Sequence, residues 1–170
     1  MKILVAGVGN VLRGDDGFGI AVAQQLEGRS HGNNVTIVES GIAGISLVQE
    51  LMDGYDMLIV ADAVERDGVP GTIYLIEPDV PDHDEKASNA LHQSLADAHY
   101  SDPAKVFILA KALGVLPPQV FLIGCQPADY DELGADMSPG VTQAVQLAVE
   151  QIEILIASST LPISADEEAR

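Results

Sequence analysis

Residues 1–20, MKILVAGVGNVLRGDDGFGI, begin with an apolar run from Ile3 to Val8 and continue into a glycine-rich turn. A continuous apolar run is typical of a strand that is buried on both faces of a parallel sheet. A glycine turn directly after such a strand often binds phosphate, yet this turn carries two adjacent carboxylates, Asp15 and Asp16. Since these charges would repel a phosphate, the turn is expected to have another function.

The rest of the chain alternates strand-like and helix-like segments. Further apolar runs lie at 34–40, 56–63 and 119–125, an edge strand is indicated at 71–78, and helical patterns lie at 18–26, 45–52, 101–114 and 138–157. This alternation predicts a single three-layer α/β domain, in which helices cover both faces of a twisted, mostly parallel sheet of about five strands. We place the domain at residues 1–157 and expect residues 158–170 to form an acidic, flexible tail.

The composition excludes several classes of partner. The 170 residues carry 26 acidic and 8 basic side chains, a net charge of −18. Such a charge repels nucleic acid and anionic lipid, so neither is expected as a partner. The single cysteine, Cys125, excludes an internal disulfide and fits the reducing cytoplasm, where we expect the protein to reside. No apolar segment reaches the ~18 residues of a membrane helix.

The first turn matches nucleotide-binding motifs only in part. A dinucleotide fingerprint requires a third glycine, but Leu12 occupies that position after Gly7 and Gly9. A P-loop requires Lys followed by Ser or Thr, and this turn has neither. A purely structural explanation is that one of the two acids caps the helix beginning near Gly17. That explanation accounts for one acid of the pair.

A third carboxylate, Asp62, ends the apolar run 56–63. Because the carboxyl ends of parallel strands meet at one edge of a sheet, we expect Asp16 and Asp62 to emerge together. Two adjacent carboxylates repel each other unless a cation lies between them, which favours a divalent metal. A third ligand would come from one of the four histidines, and the residues alone leave the choice open: His31, His83, His92 and His99.

Several motifs, taken in order, resemble those of the hydrogenase maturation proteases. They are GVGNVLRGDDGFG (7–19), the set Gly41, Gly44 and Leu47, LIVADA (58–63), HYSDPAKVFILAKALG (99–114), FLIGCQP (121–127) and MSPGVTQAV (137–145). The match spans residues 2–155. The resemblance implies a sheet between helical layers, and a metal-dependent endopeptidase that removes the C-terminal extension from the nickel-loaded large-subunit precursor of a nickel–iron hydrogenase.

The same resemblance implies that Asp16, Asp62 and His99 are the metal ligands and the catalytic residues. The nickel belongs to the active site of the substrate, and other divalent metals such as zinc or cadmium would bind the same ligands. Some relatives have Glu at the position of Asp16, and the shorter side chain changes its reach. The rival hypotheses are a flavodoxin-like metal- or nucleotide-binding module without protease activity and a metallohydrolase of small molecules.

Two glycine turns are expected to surround these ligands. Gly9 and Asn10 are expected to shape the turn that carries Asp16, and Asp15 is left open as a helper or substitute ligand. Gly41 and Gly44 are expected to open a second loop at the same edge, which contacts the substrate. Plain turn geometry is the competing explanation for these glycines.

Overall fold

The computed structural model describes residues 1–42, 44–81, 103–128 and 133–160. The strands are β1 (Ile3–Val8), β2 (Val35–Gly41), β3 (Met57–Ala63), β4 (Ile73–Ile76) and β5 (Gln119–Cys125). The helices are α1 (Phe18–Glu27), α2 (Gly44–Leu51), α3 (Pro103–Ala112) and α4 (Pro139–Thr160), and a 3-10 turn spans Gly14–Gly17. The helix expected to end at residue 157 thus continues to Thr160, and residues 161–170 of the predicted tail lie outside the described ranges.

The strands form one five-stranded sheet in the order β2-β1-β3-β5-β4. The first four of these are parallel to one another, whereas β4 is the antiparallel edge strand beside β5. The predicted single α/β domain with a mostly parallel sheet is therefore confirmed. Because β1 and β3 are neighbours, the turn after β1 and the residues that end β3 lie at the same edge of the sheet.

The core consists of two apolar layers, one on each face of the sheet. Alternate residues of β1 supply both layers, since Ile3 and Val5 pack towards α1 and α4, whereas Leu4 and Ala6 pack towards α2 and α3. All four side chains are fully buried. Burial on both faces explains why the strand lacks the polar alternation of a half-exposed sheet.

Helix α1 packs unusually close to the sheet at its first turn. A Cβ atom at Gly19 would overlap the carbonyl oxygens of Val8 and Ala61, and one at Gly7 would overlap the carbonyl oxygen of Gly19. In a dinucleotide fingerprint the third glycine lets the helix pack closely against the strand, but Leu12 occupies that position here. In this chain Gly19 allows the close contact between helix and strand instead. This contact holds the 3-10 turn against the end of β3.

Of the helices in the described ranges, none combines the length and hydropathy that a membrane span requires.

Candidate functional site

Gly9 lies beside both acids that are predicted to ligate a metal at the sheet edge, Asp16 and Asp62. Its φ of +128° lies in a region that favours glycine, and its N–H donates to the carbonyl oxygen of Gly41 at 3.2 Å. A Cβ atom at Gly9 would overlap the carbonyl oxygen of Asp16 and lie 3.8 Å from Oδ1 of Asp62. The structure therefore places the backbone of Asp16 and the carboxylate of Asp62 beside the same glycine, at the edge where β1 and β3 end.

Asp16 is held by hydrogen bonds within its own turn. The N–H of Asn10 donates to the carbonyl oxygen and to Oδ2 of Asp16, both at 3.1 Å. The side-chain oxygen of Asn10 accepts a hydrogen bond from the N–H of Leu12 at 3.0 Å, which also fixes this turn. Burial raises the pKa of Asp16, while the Asn10 N–H and the positive charge of Arg13 act to lower it. The carboxylate is half-buried, so a ligand can still reach it.

Asp62 is the more deeply buried of the two acids, with 4% of its surface exposed. It lies near the end of β3, in register with Gly124 of β5. A divalent cation bound by these carboxylates would offset the cost of removing their charges from water. Carboxylate oxygens are suitable ligands for divalent metals. The chemistry of the two acids is therefore suited to a divalent metal, and their joint role as ligands stays a prediction.

The third ligand cannot be assigned from these ranges, because His83, His92 and His99 lie outside them. Within the part of the chain that the structure describes, no group of three or more His, Cys, Asp or Glu side chains is arranged to hold a metal. His31 lies before β2, at the opposite edge of the sheet, and its Nε2 is 3.0 Å from the carbonyl oxygen of Leu26. The role of His99 therefore stays a prediction.

Asp15 has an environment unlike that of its neighbour. It is 1% exposed, and its carboxylate accepts the N–H of Ala128 at 2.7 Å, the N–H of Ser138 at 2.6 Å and the hydroxyl of Ser138 at 2.9 Å. The N-cap position of α1 is Gly17, which has no side chain with which to cap. Asp15 thus joins the acidic turn to the segment before α4, a role that no local pattern in the sequence indicates.

The loop after β2 lies beside the acidic turn. Gly41 has a φ of +58°, which allows the chain to turn sharply there. Gly41 also borders a cleft of about 310 Å³ next to Gly9 and Asn10. Gly44, by contrast, is buried at the start of α2 and does not belong to the lining of that cleft.

Cys125 ends β5 close to Asp15, but its environment does not favour a nucleophile. Burial raises the pKa of the thiol to about 12, the negative charge of Asp15 raises it as well, and a hydrogen bond from Gly71 acts against both. The thiolate is the reactive form of cysteine, and such a pKa leaves almost none of it at neutral pH.

Most of the chain is similar to proteins with an assigned family. A family described as hydrogenase maturation protease matches residues 20–154. The hydrogenase expression/formation protein HupD of Rhizobium leguminosarum bv. viciae is 33% identical over 169 residues, which cover 98% of this chain and 80% of that protein. The hydrogenase maturating endopeptidase HybD from E. coli has a TM-score of 0.74 and 29% identity, with 94% of each chain covered. A hydrogenase 2 maturation peptidase from a Thaumarchaeota archaeon has a TM-score of 0.69 and 34% identity, with 92% of this chain and 99% of that chain covered.

Proposed function

Since this chain belongs to the hydrogenase maturation protease family and is therefore a protease, we propose that it removes the C-terminal extension from the nickel-loaded large-subunit precursor of a nickel–iron hydrogenase. The observation that carries this proposal is the placement of both carboxylates beside the Gly9–Asn10 pair, where Oδ1 of Asp62 lies next to Gly9 and Oδ2 of Asp16 accepts the N–H of Asn10. The cytoplasm is the proposed compartment, supported by a chain with one buried cysteine.

In this proposal the nickel is part of the substrate. Asp16 would ligate it from the half-exposed turn, Asp62 would ligate it from the end of β3, and His99 would complete the set. Holding the nickel would place the nearby scissile bond against the same edge of the sheet, which is a positioning effect of the kind that lowers the barrier of a hydrolysis. A bound divalent metal can also polarise a peptide carbonyl.

Two features of the described structure support this assignment. The buried Asp62 gains from a cation more than an exposed carboxylate would, because water cannot compensate its charge. The turn that carries Asp16 is fixed by the hydrogen bonds of Asn10, so the carboxylate is held in place before the substrate arrives. A preorganised ligand loses little entropy when the metal binds.

The direct test is a processing assay read by mass spectrometry. Purified protein is incubated with nickel-loaded and nickel-free precursor, and the mass of the large subunit is followed. We expect the wild type to shorten only the nickel-loaded precursor, and we expect Asp16→Asn, Asp62→Asn and His99→Ala to leave it intact. Asp53→Asn, at an exposed acid after α2, is the matched control and should process normally.

The melting temperature of each variant is measured alongside, so that loss of activity is separated from loss of folding. Normal processing by folded Asp16→Asn and Asp62→Asn would overturn the proposal. Equal processing of nickel-free and nickel-loaded precursor would overturn the part assigned to nickel.

A further inference from the structure

We propose that the cleft beside Gly9 binds apolar residues of the precursor next to the scissile bond, and this inference rests on the proposed function. We name it the β1–β2 cleft, because one wall is the turn after β1 and the other is the end of β2 with the residue that comes after it. It has a volume of about 310 Å³ and is lined by Gly9, Asn10, Val11, Ile20, Glu39, Ser40, Gly41 and Ile42. Space of this size accepts a few residues of an extended peptide, roughly the lower end of the range for ligand pockets.

The β1–β2 cleft is continuous with the candidate site. Gly9 and Asn10 form one wall; Oδ1 of Asp62 lies 3.8 Å from where a Cβ atom at Gly9 would be, and the N–H of Asn10 donates to Oδ2 of Asp16. A chain segment lying in the cleft would therefore run along the same turn beside which both carboxylates lie. The two walls are joined by the hydrogen bond from the Gly9 N–H to Gly41, so the cleft is formed before any substrate binds.

The rim of the cleft exposes apolar side chains that the fold itself does not use. Val11 is 61% exposed on the wall after β1 and Ile42 is 45% exposed on the wall after β2, and the buried Ile20 also lines the cleft. The apolar surface continues to Leu12 and Leu133, which are 63% and 70% exposed, and the Gly134 N–H joins these two loops by donating to the carbonyl oxygen of Leu12. An exposed apolar surface beside a functional site is typical of a binding surface.

Ser40 adds an independent observation. The pairing of β1 with β2 shifts from Gly7–Glu39 to Val8–Gly41, which leaves Ser40 as an extra residue in a bulge. Its hydroxyl oxygen is buried and has no hydrogen-bond partner among the residues described. A buried polar atom without a partner costs free energy that a hydrogen bond would recover. A small rotation of this side chain would let it bond a peptide group of a bound segment.

The charge of the lining favours a peptide over an anionic ligand. Glu39 is the one charged side chain among the lining residues, and it is negative, as are the neighbouring Asp16 and Asp62. A phosphate or a free carboxylate placed here would be repelled. The occupant is therefore a stretch of chain with apolar side chains that places no acidic group in the cleft, and continuity with the carboxylates favours the precursor segment that flanks the cleavage point.

The test compares two cleft variants, Val11→Ser and Ile42→Ser, with two matched controls. Val69→Ser and Ile154→Ser remove the same side chains at exposed positions, 75% and 58% exposed, that lie outside the cleft. Processing of nickel-loaded precursor is measured to obtain kcat and KM. We expect each cleft variant to raise KM roughly 10-fold with kcat nearly unchanged, because a lost apolar contact weakens binding by about this factor. The controls should match the wild type.

A second arm identifies the occupant. Apolar residues of the precursor on either side of the cleavage point are replaced by serine, and the effect of Ile42→Ser is measured again. We expect that effect to disappear for one of these precursors, because the contact has already been removed. An effect that persists for every such precursor would overturn the assignment to this segment and indicate contact with the body of the large subunit.

The outcomes separate this inference from the proposed function. If wild-type protein processes the precursor but the cleft variants match their controls, the inference is wrong and the proposed function stands. If the wild type does not process nickel-loaded precursor at all, the proposed function fails, and the inference fails with it.

Discussion

Replacing Asp15 with asparagine keeps the volume of a buried side chain and changes only its hydrogen bonding. In the wild type, Oδ1 accepts the Ser138 N–H, while Oδ2 accepts the Ala128 N–H and the Ser138 hydroxyl. An asparagine can place its amide oxygen at the position of Oδ2 and retain two of these bonds. Its NH2 group would then face the Ser138 N–H, donor against donor, at a site where the present separation is 2.6 Å.

The expected loss follows from this geometry. One charge-assisted hydrogen bond disappears, which costs about 1.5–3 kcal/mol, and the retained bonds weaken because their acceptor is no longer charged. Burying a neutral amide instead of a carboxylate offsets part of this cost. We therefore expect Asp15→Asn to lower the free energy of unfolding by about 2 kcal/mol, which corresponds to a fall in Tm of about 4–8 °C for a chain of this size.

Urea denaturation followed by circular dichroism measures this change. Ser138→Ala, which removes one of the partners, should cost about 1 kcal/mol. The double variant should lose less than the two single changes together, since the hydroxyl bond that Ser138→Ala removes is already weakened when its acceptor is a neutral amide. Asp53→Asn, at an exposed acid, is the control and should stay within about 0.5 kcal/mol of the wild type. An Asp15→Asn protein as stable as this control would refute the role assigned to Asp15.

Further predictions concern the rest of the molecule. The Cys125 thiol, with its pKa raised to about 12 by burial, should resist iodoacetamide at pH 8 until urea unfolds the chain, and rapid labelling of the folded protein would contradict its burial. Gly19→Ala should destabilise the fold by roughly 3 kcal/mol or more in urea denaturation, because its Cβ would overlap two strand carbonyl oxygens. Arg29→Ala should cost less than about 1 kcal/mol, since the Arg29–Glu153 pair is one-third exposed on each side and is screened by salt; a larger cost that persists in 1 M NaCl would be inconsistent with this.

The sequence predicts the fold better than it predicts the site. Strands β1 and β4 could be recognised because the burial of a strand is visible in its local sequence. β1 is a continuous apolar run, and the edge strand β4 is an apolar run flanked by turn residues. The placement of Asp16 and Asp62 at one edge of the sheet followed from a topological rule, which needs only that β1 and β3 be parallel neighbours.

Other features depend on contacts between distant residues and leave no local pattern. The partners of Asp15 lie 113 and 123 positions away, at Ala128 and Ser138, so the sequence alone could not distinguish a buried structural acid from a second ligand. The bulge at Ser40 arises from a shift in strand register that apolar periodicity does not encode. The choice of His99 rests on family resemblance, since the residues by themselves left four histidines open.

The proposed function depends most on one divalent ion being shared by Asp16 and Asp62, and calorimetric titration of Cd²⁺ into the purified protein tests this directly. We expect one site in the wild type, and an affinity at least roughly 10-fold lower in both Asp16→Asn and Asp62→Asn. The double variant should bind little more weakly than either single variant, because the first substitution already disrupts the shared site. Wild-type affinity in either single variant, or two independent sites lost one at a time, would contradict the shared site.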